Sequence, residues 1–135
     1  MKLHHIGKVV EDLEKEIEYY KNTFGMKITG KPVIDPIQKV EVAFVDVGYG
    51  KDLTIELIRP TTNDSPVQKF LKDHGGGIHH LCFEVKDLTK ASEEFRSKGA
   101  LILGNSVPGK GHDDRLTLWL YTKEKELVEL VEEDK

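Results

Sequence analysis

Apolar residues recur along the chain with two distinct periods. Leu13, Ile17, Tyr20 and Phe24 stand at helical spacing, and so do Leu88, Ala91 and Phe95. Each run follows an aspartate suited to an N-cap (Asp12, Asp87) and precedes a glycine suited to a helix stop (Gly25, Gly99). Elsewhere apolar and polar residues tend to alternate, which predicts strands. The first half offers "MKITG" (26–30), "KVEVAFVDVG" (39–48) and "DLTIELIRP" (52–60); the second offers "ALILG" (100–104), "RLTLWLYT" (115–122) and "ELVELVEE" (126–133). "VGYGKD" and "TKEKE" read as hairpin turns.

The two halves are copies. "LHHIGKVVEDL" (3–13) lies over "IHHLCFEVKDL" (78–88), aligning a histidine pair, the apolar residue after it, a valine and the closing Asp-Leu. Each half is therefore β-α-β-β-β. We expect a single α+β domain over 1–135: module one at 1–60, a linker at 61–77, module two at 78–135. The modules would form a curved mixed sheet around a central metal cleft, the usual kind of place for a site. Within the linker, Ser65 and Pro66 read as the N-cap and first position of a short helix that stops at Gly75.

The last strand of each half carries a carboxylate among apolar neighbours, Glu56 in "LTIELI" and Glu129 in "ELVELV". An ionised carboxylate withdrawn from water needs a charge partner or a metal. In each half a histidine on the first strand can face that glutamate. Two imidazoles and two carboxylates suit a divalent ion and leave adjacent positions for substrate. One histidine of each pair is then a ligand; strand alternation says only that neighbours point opposite ways. The other lies behind the sheet or at its edge. Cys82 shares the parity of His80 and reads as a small buried residue. Glu84 reads as solvated, His74 and His112 as solvated loop residues, and Tyr19, Tyr20 and Trp119 as core or helix–sheet packing.

On "LHHIGKVVEDLEKEIEYYKNTFGM", "TIELIRP" and "ELIRPTTNDSPVQKFLKDHGGGIHHLCFEV", the whole chain resembles the vicinal oxygen chelate superfamily of glyoxalases, bleomycin-resistance proteins and extradiol dioxygenases. Within it, the chain is most similar to the methylmalonyl-CoA epimerases. The resemblance implies that His5, Glu56, His80 and Glu129 hold a divalent metal (Co, Ni, Mn or Zn). It also implies a metal-stabilised enolate of a small-molecule thioester, with Glu129 as a catalytic acid–base group and Glu41, Glu56 or water as the second. A homodimer is expected as well. Lactoylglutathione lyase is the rival activity, and a non-catalytic binding protein of bleomycin-resistance type the second alternative. Two positions depart from the epimerase pattern. Tyr121 stands where a histidine is usual, and Val42 where some members carry a second glutamate.

Composition narrows the field further. A net charge of −4 with interspersed signs argues against nucleic acid. No apolar run approaches membrane-spanning length, and the lone Cys82 excludes an intrachain disulfide and fits a reducing, cytoplasmic setting.

Overall fold

The computed structural model describes residues 1–134. The chain runs β1 (Lys2–Val9), α1 (Leu13–Tyr19), β2 (Ile28–Asp35), β3 (Val40–Asp46), β4 (Thr54–Pro60), α2 (Gln68–His74), β5 (Gly77–Val85), α3 (Leu88–Ser97), β6 (Leu101–Gly109), β7 (Arg115–Tyr121) and β8 (Leu127–Glu132). This is the predicted α+β arrangement of two βαβββ modules. It falls into two compact units, one of His5–His79 and one that combines Met1–His4 with the chain from His80 onward.

In the unit of His5–His79 the strand order is β2-β3-β4-β1, antiparallel except for the parallel β1/β4 pair. The other unit repeats it as β6-β7-β8-β5, with β5/β8 parallel. Both helices over the sheets start as their caps dictate: Asp12 accepts from the backbone N–H of Lys15 at 3.1 Å, and Asp87 from that of Lys90 at 3.0 Å. Gly25 and Gly99 end them with left-handed φ values of 68° and 92°. The apolar stripes dock on one sheet face. Leu13 and Tyr20 join Ala43, Val45 and Leu57, while Leu88 packs with Leu118, Leu120, Val128 and Leu130.

Several elements differ from expectation. After Tyr19 the helix widens into a π-helical turn, Tyr20–Phe24, and Phe24 is exposed, because the extra residue per turn rotates it off the buried stripe. Tyr19 is exposed too. Strands β2 and β6 run on well past their predicted ends. Each absorbs a register shift, between Thr29 and Val33 and between Leu103 and Val107. The linker helix begins at Gln68 rather than beside Ser65. Ser65 contributes its carbonyl to Gln68 N–H at 3.0 Å and no side-chain cap. Val67, Phe70 and Leu71 then pack with Val9, Val42 and Ile58 on the sheet face opposite α1. Among the described residues no helix is long and apolar enough to cross a membrane.

Candidate metal-binding pairs

Register builds the first pair. In β4, Glu56 lies beside Gly7 of β1 on one flank and Phe44 of β3 on the other. Gly7 is the small neighbour, and Phe44 presents its ring to His5, with centroids 5.8 Å apart and planes at 72°. His5 Nε2 meets Glu56 Oε1 at 3.3 Å, and both side chains are almost wholly buried.

The second unit builds the same thing from the same positions. Glu129 of β8 lies beside Cys82 of β5 and Trp119 of β7. Cys82 is the small neighbour. Trp119 packs edge-to-face on His80, centroids 4.6 Å apart at 75°, so this indole fixes an imidazole rather than filling the helix–sheet interface. His80 Nε2 is 3.6 Å from Glu129 Oε1, again with both side chains buried. In each unit, then, a carboxylate sits between a small residue and an aromatic ring, and that ring braces the histidine facing the carboxylate.

The remaining histidines sort themselves by surroundings. His4 is buried, with its Nε2 3.2 Å from Arg115 Nη2. His79 is half-buried and meets the Phe70 ring in a T-shaped contact, and His74 at the end of α2 lies tilted 32° to that ring with centroids 4.5 Å apart. His112 departs from expectation. It is buried at 5% exposure, not solvated, and its Nε2 lies 3.7 Å from Glu129 Oε1. It escaped the sequence reading because it has no counterpart in the first half; the only hint was a glycine three positions earlier, Gly109.

Glu84 is likewise not a solvated residue. Its carboxylate accepts from Arg115 Nη1 at 2.9 Å and faces Lys2 at 3.8 Å. Burial pushes its pKa up, but the Arg115 hydrogen bond and the charges of Lys2 and Arg115 outweigh that and hold it below the usual carboxylate value. Glu41 is taken by Arg59, whose Nε and Nη2 both donate to Glu41 Oε1, at 3.1 and 2.8 Å. Register pairs Glu41 with Arg59 and Phe44 with Glu56, so Glu41 projects from the face of β3 opposite Glu56. Val42, on the Glu56 face, is packed in apolar surroundings.

Comparison with known proteins agrees with this architecture. A family model described as Glyoxalase/Bleomycin resistance protein/Dioxygenase superfamily matches residues 4–117. The ethylmalonyl-CoA/methylmalonyl-CoA epimerase of Cereibacter sphaeroides is 37% identical over 91% of this chain and 90% of its own length. The mitochondrial methylmalonyl-CoA epimerase of Bos taurus is 38% identical over 82% of this chain, which spans 62% of that relative. Among solved structures, a variant methylmalonyl-CoA epimerase of Streptomyces coelicolor in complex with 2-nitronate-propionyl-CoA superposes with a TM-score of 0.86 at 28% identity, covering 100% of this chain and 99% of that one.

Proposed function

The chain belongs to the glyoxalase/bleomycin resistance/dioxygenase superfamily, and we propose that it is a metal-dependent epimerase of a 2-substituted malonyl-type acyl-CoA, with methylmalonyl-CoA as the substrate to test first. The observation that carries this reading is the twofold occurrence of a buried His–Glu pair, His5–Glu56 and His80–Glu129, in matching surroundings. His5, Glu56, His80 and Glu129 together are the proposed ligands of one divalent ion, Co, Ni, Mn or Zn. The donor set fits: two imidazole nitrogens and two carboxylates are borderline-hard ligands, and their two negative charges balance a dication. When bound, the ion supplies positive charge that stabilises charge developing on a substrate oxygen.

The chain's own residues do the rest. Glu129 takes the proton from the carbon between carboxylate and thioester, its carboxylate being kept from water and braced through His80 by Trp119. Epimerisation returns a proton on the other face, so a second acid–base group is required. Val42 offers none, and Arg59 holds Glu41 on the far face of its strand, which leaves Glu56 or a water. The same reading makes the protein a cytoplasmic homodimer acting on a small thioester.

Two measurements test it together: metal content of untagged protein, and deuterium uptake at the α-carbon of methylmalonyl-CoA in D₂O. The expected result is about one ion per chain and uptake abolished by chelation. Metal-loaded protein that leaves the α-proton in place but isomerises the glutathione–methylglyoxal hemithioacetal would be a lactoylglutathione lyase instead.

A further inference from the structure

The proposed chemistry gives no role to His112, although the chain takes trouble to bury it. The ring is carried by a 3₁₀ turn, Lys110–His112, after which Asp113 and Asp114 take left-handed φ values of 55° and 63° in succession. Left-handed φ is uncommon for residues other than glycine, with Asp and Asn the usual exceptions. Gly109 makes the approach possible: a Cβ there would come within 2.9 Å of the His112 ring and 3.0 Å of Thr117 Cγ2. Arg115 donates from Nε to the His112 carbonyl at 3.3 Å, and His4 meets the imidazole edge-to-face at 5.5 Å. Backbone and ring are both held, and what they aim is Nε2, 3.7 Å from Glu129 Oε1.

That oxygen has two imidazole nitrogens within 4 Å, His80 Nε2 at 3.6 Å and His112 Nε2 at 3.7 Å. A histidine that gives its nitrogen to a metal has no proton on it to offer the carboxylate. We propose that His112 is a positioning residue for Glu129: its Nε2 stands 3.7 Å from Oε1, just beyond hydrogen-bond length, and the Nε2–H closes on the carboxylate when Glu129 turns to a bound ion, fixing its orientation there. This rests on the reading of Glu129 as a metal ligand. Partners of this outer kind set ligand orientation and basicity, and losing one costs about 10- to 100-fold in metal affinity.

Cobalt(II) binding to otherwise metal-free protein tests the idea, read by calorimetric titration and by the visible absorption of the bound ion. His112→Leu removes the donor while keeping a buried apolar side chain; it should weaken cobalt binding at least about tenfold and shift the absorption bands. His112→Gln places an amide N–H at nearly the same reach and should recover most of the loss. Gly109→Ala leaves the imidazole in the chain but crowds its seat, and should resemble His112→Leu. Melting of the metal-free proteins separates these effects from simple unfolding. Wild-type affinity and spectrum in His112→Leu would overturn the proposal, as would a glutamine variant no better than leucine. Wild-type protein that binds no cobalt would instead remove the metal reading itself, and this inference with it.

Discussion

The hairpins β2–β3 and β6–β7 begin alike. Each first strand is broken at the same place by a left-handed glycine, Gly30 with φ 68° or Gly104 with φ 77°, and resumes after a register shift. Their turns then diverge. The first ends in Asp35, a buried carboxylate that accepts from the backbone N–H groups of Ile37 at 2.9 Å and Gln38 at 3.0 Å. That carboxylate serves its own loop. The second turn has no such aspartate and delivers the His112 ring to Glu129 instead. A corresponding divergence appears elsewhere in the two units: α2 packs against Val9, Val42 and Ile58 in one, whereas the other carries the ion-paired group of Lys2, Glu84 and Arg115. The two halves share the His–Glu pair and its small and aromatic neighbours, and differ in what surrounds them. Each glutamate faces a histidine, His5 or His80, and Glu129 has a second imidazole, His112, within 4 Å.

The largest expected effects should separate the two glutamates. Glu56→Ala and Glu129→Ala should both lose bound metal, and activity should fall by about 10²- to 10⁴-fold. Excess metal should restore Glu129→Ala hardly at all if Glu129 is the proposed acid–base group, and partial recovery of Glu56→Ala would leave a water as the second one. Equal rescue of both, followed by deuterium exchange, would erase the functional asymmetry. His80→Ala should behave like Glu56→Ala in metal content.

Stability should show the opposite, equivalence. Leu57 and Leu130 follow the two glutamates, point to the helix-covered faces and are both fully buried. Truncation of either to alanine should cost about 2–5 kcal/mol in urea unfolding. A markedly cheaper loss on one side would mean that its core closes up around the cavity and is the less rigid of the two.

The smallest effect concerns pH. Glu84 has a depressed folded-state pKa, so its ion pair contributes stability above the ordinary carboxylate value and loses it as pH falls through the depressed one. Glu84→Gln should therefore cost about 1 kcal/mol at neutral pH and show a weaker fall in stability towards acid than wild type. An unchanged acid slope would remove Glu84 as a contributor. The aligned residue of the first half is Val9, buried in apolar packing, so that half has no equivalent titration at this position.

What could be read from the sequence was what occurs twice or follows from local chemistry. Asp12, Asp87, Gly25 and Gly99 act through backbone groups three or four residues away, so caps and stops were found in place. Strand alternation found Glu56 and Glu129, and repetition linked them to histidines. His112 lies in a turn whose counterpart in the first half carries no histidine, and its burial depends on β8, contributed from beyond the next strand. Trp119 had the right parity, but parity names a face and not the side chain standing on it. Ser65 and Pro66 carried a strong local signal for a helix start. The packing of Val67 against the sheet delays that start, because burying an apolar residue outweighs one side-chain hydrogen bond.

The assignment of Met1–His4 to the unit that otherwise begins at His80 has a consequence for the order of events during synthesis. The unit of His5–His79 is continuous, and every residue it needs has left the ribosome once His79 has. The other unit is open until β8 emerges, although its segment Met1–His4 is made before the whole of the continuous unit. Lys2 and His4 must therefore wait for partners made after His79, Glu84 and Arg115 among them. Closure over so long a separation is slow compared with local pairing. The unit of His5–His79 is the natural early-folding body, and completing the other unit joins segments that lie on either side of it in sequence.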